Sequence, residues 1–214
     1  MINRKALGLS LVLACTMSAA VASPAHAQFA DFEASGYPAT ITGEQIGLDE
    51  FSTKAGTTSC THATYHGEIG GPTSSLTLSP TYSGCKAFGF FNATIDMNGC
   101  DYLFEASGTW GFEEFIGSMD ILCPAGKSIA ITTSVCVVTI PGQNEILYAT
   151  YGNTPGATPD DVDLAVNAEL KLKYTIDSGC ATSSPGTFTS GSMRSEATLG
   201  AEEFGGPVGF LVGH

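Results

Sequence analysis

Positive charge is the scarcest commodity in this chain of 214 residues: eight lysines and arginines stand against 21 aspartates and glutamates. Two of the eight, Arg4 and Lys5, lie in the first residues, so beyond residue 27 only Lys54, Lys86, Lys127, Lys171, Lys173 and Arg194 remain, for a net charge of −15. A surface of that sign repels phosphate backbones and anionic lipid, and this excludes nucleic acid as an expected partner. There is one tryptophan, Trp110, which leaves little for a sugar cleft lined by aromatic platforms. No later apolar run is long enough for a transmembrane helix. There is no C-x-x-C pair, no H-E-x-x-H, no G-x-S-x-G elbow, no phosphate-cradling glycine loop and no dinucleotide fingerprint. No cofactor is expected, and no catalytic motif is present; the chain reads as a non-enzyme.

What is present begins with an export signal. Arg4 and Lys5 precede an apolar run, Ala6 to Ala14, and Ala25-His26-Ala27 is an A-x-A cleavage site. The expected organisation is a signal peptide over 1–27 and a single all-β domain over 28–214, with 28–36 as a loose arm. An alternative is acylation at Cys15, but Val12-Leu13-Ala14 makes a poor lipobox. The expected location is secreted or on the extracellular surface. The 187 residues after the signal are enough for one sizeable core.

Six cysteines follow the signal: Cys60, Cys85, Cys100, Cys123, Cys136 and Cys180. Six allow fifteen connectivities, and hairpin geometry narrows them. The midpoint of 60 and 85 falls at Gly71-Pro72-Thr73, a turn signal, and that of 100 and 123 at Trp110-Gly111-Phe112. Residues equidistant from a hairpin turn face each other within bridging distance. The last pair centres near Thr158-Pro159 in a loop rich in Pro, Gly and Asp. The expected bridges are Cys60–Cys85, Cys100–Cys123 and Cys136–Cys180.

Period-two alternation dominates the rest. From Asp163 to Asp177, Leu164, Val166, Ala168, Leu170, Leu172, Tyr174 and Ile176 share one face and mainly polar residues the other, the pattern of a half-buried strand. Asn98-Gly99 suits a type I′ hairpin turn. It would set Met97 against Cys100, Ile95 against Tyr102 and Ala93 against Phe104, with Asp96 facing Asp101 on the wet side. Further strands are expected near 39–43, 46–52, 57–69, 75–82, 115–122, 128–134, 136–140, 145–151, 187–199 and 207–212. Short links between them imply an antiparallel meander forming a β-sandwich or partly closed barrel.

The chain resembles a group of uncharacterised secreted bacterial proteins with a six-cysteine β framework. The resemblance covers roughly residues 51–213. It is carried by Phe51-Ser52-Thr53-Lys54-Ala55-Gly56-Thr57 before Cys60, by Pro80-Thr81-Tyr82-Ser83-Gly84-Cys85-Lys86-Ala87-Phe88-Gly89, and by Asn98-Gly99-Cys100-Asp101-Tyr102-Leu103-Phe104. Cys123-Pro124-Ala125-Gly126-Lys127 and Gly186-Thr187-Phe188-Thr189-Ser190-Gly191 complete it. Met193 and Arg194 depart from the pattern. The resemblance implies export and the cysteine framework, and it transfers no functional residues.

Candidate chemistry is sparse. His62 and His66 share one strand face with Cys60 and Thr64, but four residues of strand span about 13 Å, too far for one metal ion; His214 is the terminus. Asp96 and Asp101, if face to face, could share a proton, grip a cation or serve a glycosidase. Asp160, Asp161 and Asp163 could ligate calcium from a loop, and Glu113-Glu114 is a weaker case. Asn92-Ala93-Thr94 is a glycosylation sequon. The function expected is a structural or binding module for an extracellular ligand or envelope component. Contacts would come through sheet edges or through the 107–114 and 153–161 loops, where Trp110, Phe112 and Phe115 would be the anchors. The alternatives are a small-molecule or lipid carrier with a cavity inside a barrel, and a carbohydrate-active hydrolase using the carboxylate pair.

Overall fold

The structure, a computed structural model, describes residues 30–110, 114–154, 161–177, 180 and 184–213; of residues 110, 145–147 and 167–170 it describes the backbone only. The expected signal peptide and Cys15 lie outside the described residues, as do Phe112, Glu113, Asp160 and His214. The fold is all-β and antiparallel, with no helix among the described residues.

Two long strands organise it. β14 (Val162–Ile176) and β15 (Gly186–Glu203) pair along their length, from Val162↔Leu199 to Ile176↔Gly186. Their first and second halves take different neighbours. On one half the ladder runs from β15 through β2 (Ala39–Gln45), β5 (His62–Ile69), β6 (Ser75–Ser83), β9 (Asp101–Trp110), β10 (Glu114–Leu122) and β13 (Gln143–Asn153) back to β14. On the other half it runs from β14 through β12 (Val137–Pro141), β11 (Ser128–Thr133), β8 (Phe91–Asp96), β7 (Lys86–Ala87), β4 (Gly56–Cys60) and β3 (Asp49–Thr53) back to β15. The result is two closed hydrogen-bonded circuits, end to end, sharing β14 and β15. Closure removes sheet edges, the usual route to unwanted pairing.

Between the circuits lies a waist that the chain crosses repeatedly, because successive hairpins alternate between the two. β3–β4, β7–β8 and β11–β12 belong to the second circuit, and β5–β6 and β9–β10 to the first. Each crossing interrupts a ladder, and each interruption is tied. Cys60–Cys85 joins the β4–β5 and β6–β7 crossings, with Cα atoms 3.9 Å apart. Cys100–Cys123 joins the β8–β9 and β10–β11 crossings at 4.1 Å. Both pairs continue the register of the hairpins they bracket, which ends at His62↔Ser83 and at Leu122↔Asp101. Gln143, where β12 passes to β13, replaces a strand residue with its side chain: its Nε2–H donates to the Lys173 carbonyl (3.0 Å) and Oε1 accepts the Lys173 N–H (2.8 Å). The Gln45 Nε2–H donates to the Cys60 carbonyl (2.9 Å), and the Asn98 Nδ2–H to that of Ser128 (2.9 Å). The third bridge, Cys136–Cys180, ties the β11–β12 tip to the β14–β15 tip at the far end of the second circuit.

The far end of the first circuit is covered by β1 (Asp31–Ala34) and β17 (Phe210–Gly213), which pair with each other. Phe32 and Phe210 are fully buried, and Phe32 meets Tyr151 edge to face at 5.1 Å. Asn153 clamps β17, donating to the Val212 carbonyl and accepting its N–H, both at 2.8 Å. The expected loose arm is thus corrected: residues 31–34 are a paired strand, held because Phe32 fills the barrel mouth. The short strand β16 (Gly206–Val208) returns along β15.

Inward positions are mainly apolar and form one continuous core; the rings of Phe51 in the second circuit and Tyr82 in the first lie 5.7 Å apart, centre to centre. Along β14, Leu164, Val166, Leu172, Tyr174 and Ile176 are buried, as the alternation demands. Outward positions such as Thr42, Glu44, Thr64, His66, Thr77 and Ser79 are exposed and polar, the reverse of a barrel facing lipid.

Two local expectations are corrected. The span 57–69 is two strands, broken at Thr61 where the chain changes circuit, so Cys60 is buried while His62, Thr64 and His66 face outward. The Asn98-Gly99 turn forms, with φ of 52° and 79° and the Cys100 N–H bonded to the Met97 carbonyl (2.8 Å). The strands beyond it do not pair: β8 joins β11 and β7, while β9 joins β6 and β10. The turn is a crossing of the waist instead of a hairpin end.

Removing a waist bridge frees an unfolded loop of 25 or 23 residues, so C60S/C85S and C100S/C123S are each expected to lose about 3–4 kcal/mol. Urea unfolding without reductant measures it. Gln143→Ala, which removes two solvent-exposed hydrogen bonds to the Lys173 backbone, is expected to lose about 1 kcal/mol in the same assay, with an unchanged slope.

Candidate functional site

Two places combine unusual chemistry with unusual geometry: a buried hydroxyl–carboxyl cluster inside the waist, and an aromatic tip at the end of the second circuit.

The cluster is built from residues that alternation turns inward where the circuits meet. Asp49 opens β3 opposite Cys60, and it is completely buried. The Tyr65 hydroxyl of β5 donates to Asp49 Oδ2 (3.2 Å) and shares a hydrogen bond with Ser195 Oγ of β15 (2.7 Å). Tyr82 and Tyr102 hydroxyls bond each other at 2.9 Å. Asp49 Oδ1 has no hydrogen-bond partner among the described residues. Loss of hydration raises the Asp49 carboxyl to about 6, against smaller opposing effects from the Ser195 and Tyr65 hydrogen bonds. Burial likewise pushes the phenols of Tyr65, Tyr82 and Tyr102 upward, so all three stay protonated donors. With Asp49, Tyr65 and Ser195 all under 5% exposed, no substrate reaches the group. It can hold a proton, not process a ligand. The sequence shows an aspartate at a strand start and cannot show that it points inward.

The tip is the β7–β8 turn. Phe88 and Gly89 have φ of 55° and 77°, and the Phe90 N–H bonds the Ala87 carbonyl (3.2 Å). A positive φ is rare for a bulky residue and has to be held by its surroundings. Here the Phe88 ring lies where a side chain on Gly56 would be, with a ring carbon 2.1 Å from that position, and the Phe88 N–H bonds the Thr57 carbonyl (2.9 Å). Phe88 thereby closes the second circuit with Phe51, Ala55, Ile131, Cys136 and Val138, leaving a cavity of about 20 Å³, room for a water. Phe90 and Phe91 are left outside, 68% and 39% exposed, with ring centroids 4.3 Å apart. The β8–β11 register ends at Ala93↔Thr133, so the β7–β8 tip neighbours the β11–β12 tip, where Val135 is 49% exposed.

The residues singled out from sequence scatter. Asp96 and Asp101 do not face each other: Asp96 pairs with Ala130 in the second circuit and accepts the Asn98 N–H (2.9 Å), while Asp101 accepts from Ser79 Oγ (2.6 Å) in the first. The reason is the crossing at 98–99, which sends the two strands to different circuits. Asp161 and Glu44 border an open trough on the outside of the first circuit together with His66; Asp163 accepts from Thr198 (2.8 Å) beside a second trough, with Glu114 and Glu196. Among the described residues, no three His, Cys, Asp or Glu side chains are placed to hold a metal ion. Phe115 is buried at 9% exposure, so it anchors no surface contact, and Trp110 is described by backbone only. Asn92 is exposed and accepts from Lys86 Nζ. The Phe88–Phe91 tip was missed as a site; its signal was a Phe-Gly-Phe-Phe run at a turn.

No family model, no curated protein and no solved structure matches this chain, so the resemblance read from its motifs gains no support there. What the fold defines is an all-β protein of two fused circuits with three disulfides.

Asp49 gives a pH signature. Its folded value lies above the ordinary 3.8, so the folded state binds the extra proton between pH 3.8 and about 6. Stability from this group is present below that window and falls as pH rises through it, by roughly 3 kcal/mol in all. Asp49→Asn is expected to gain on the native chain by that order between pH 4 and pH 7.5, measured as the difference in urea midpoints at the two values.

Proposed function

We propose that this protein is an exported, non-catalytic binding module that engages its partner through the aromatic tip of the second circuit. The observation that carries this reading is Phe90 and Phe91, exposed on a turn whose backbone is held at positive φ by packing beneath it. Exposed large rings on a rigid support are costly unless covered, and recognition commonly sits on loops fixed by a scaffold. Three disulfides fit an oxidising compartment outside the cytoplasm. No helix among the described residues is long and apolar enough to cross a membrane.

The carrier reading has less behind it. Both circuits are closed, but Leu76, Leu78, Tyr102, Phe104, Met119 and Ile121 fill the first, and the cavity beneath Phe88 in the second has room for no more than a water. The hydrolase reading loses its carboxylate pair to the two circuits.

The test is retention on the envelope fraction of the producing cells. The native protein is expected to be retained, and F90S/F91S to be released while keeping the native unfolding midpoint, since both rings lie outside the core. Equal retention of the two proteins removes the tip from the function.

A further inference from the structure

The two circuits differ in charge as sharply as they resemble each other in fold. The strands β1, β2, β5, β6, β9, β10, β13 and β16, with the first-circuit parts of β14 and β15, hold thirteen carboxylates and no lysine or arginine. The second circuit holds Lys54, Lys86, Lys171, Lys173 and Arg194 against Asp49, Glu50 and Asp96 on its strands and Asp177 beside them, with Glu169 on β14 at the waist between the two. The molecule therefore has an acidic end and a near-neutral end, and the exposed rings Phe90 and Phe91 sit at the near-neutral one.

We infer that the aromatic tip inserts into the headgroup region of a lipid bilayer, with the second circuit against the membrane and the acidic first circuit in water. This rests on the binding-module reading and names the partner.

Three observations favour lipid over a protein groove. Phe90 and Phe91 lie on one hairpin tip and exposed Val135 on the neighbouring one, projecting features that a fluid interface accepts without a complementary pocket. Lysines flank it: Lys86 is exposed on β7, and Lys54 sits at the β3–β4 tip, its Nζ 4.3 Å from the centre of the Phe188 ring. Rings below and long cations beside them suit an interface, where the charge stays at headgroup level. The acidic half stands off: the ten residue steps of β14 from Ile176 back to Val166 span ~33 Å at a strand's rise, several times the ~8 Å over which salt screens charge. Phe204, 94% exposed at the opposite end, adjoins Glu202 and Glu203. Those carboxylates oppose docking on an anionic membrane through that end, so charge selects which end meets lipid.

Cosedimentation with vesicles of phosphatidylcholine, with and without phosphatidylglycerol, tests the inference using the full disulfide-bonded chain. The native protein is expected to bind both and to bind the anionic vesicles more tightly, with the excess lost at high salt. F90S/F91S is expected to lose at least about tenfold in partitioning on both. Lys54→Glu with Lys86→Glu is expected to remove the anionic preference and keep binding to phosphatidylcholine. Absence of native binding to either vesicle, or equal binding by F90S/F91S, overturns the lipid assignment. If envelope retention still needs Phe90 and Phe91 while vesicles fail, the partner is a protein or glycan and the binding-module reading stands.

Discussion

The constraint on which the molecule depends is the waist. Two closed circuits made by one chain require that the chain leave one ladder and enter the other, and each departure strands backbone donors and acceptors that a sheet would otherwise satisfy. The chain supplies a tie at these points: sulfur at Cys60–Cys85 and Cys100–Cys123, and amide side chains at Gln45, Asn98 and Gln143. Gln143 acts as a detached peptide group, offering a donor and an acceptor where no strand can lie, while Gln45 and Asn98 supply the donor alone. The disulfides act on the unfolded chain as well, shortening the search for a topology whose contacts are far apart in sequence. Among the described residues, β14 and β15 alone pass the waist as uninterrupted strands, and they form the spine to which both circuits close.

The same waist explains why a carboxyl is buried. Where two barrels meet end to end, inward side chains from β3, β5, β6, β9 and β15 converge. The chain fills that volume with Tyr65, Tyr82 and Tyr102, large rings whose hydroxyls need partners. Asp49 and Ser195 provide partners for Tyr65, and the two remaining phenols serve each other. The arrangement trades hydration of a carboxylate for a connected set of hydrogen bonds, and desolvation of Asp49 is the cost. Chemistry at that depth is structural. Hairpin tips emerge at the ends, and the two ends differ in charge and in aromatic exposure.

Much of this could be read from the chain. Alternation from Leu164 to Ile176 marks β14 and its buried face, because a strand at a core surface must sort side chains by parity. The cysteine spacing matches the bridges found, because the β5–β6 and β9–β10 registers carry through to 60/85 and 100/123. The Asn98-Gly99 turn was equally legible, since only certain residues accept positive φ twice in succession. Its partners were not. A turn dictates that the chain reverses locally; whether the flanking strands pair with each other or with β11 and β6 depends on distant residues that local sequence does not encode. The facing of Asp96 and Asp101 failed for that reason, and so did the single strand expected over 57–69, where one residue, Thr61, resets the parity.

Taken alone, the amino-acid order determined the class of fold, the strand faces, the cysteine pairs and the acidic imbalance, because each follows from local periodicity, local spacing or composition. The tertiary structure decided that the strands close into two circuits and that Asp49 lies inside the junction. It also set Phe90 and Phe91 at the less acidic end. Those outcomes depend on which remote ladders join, and hydrogen bonding between strands is indifferent to sequence separation: register and closure are satisfied globally, over the whole ring at once.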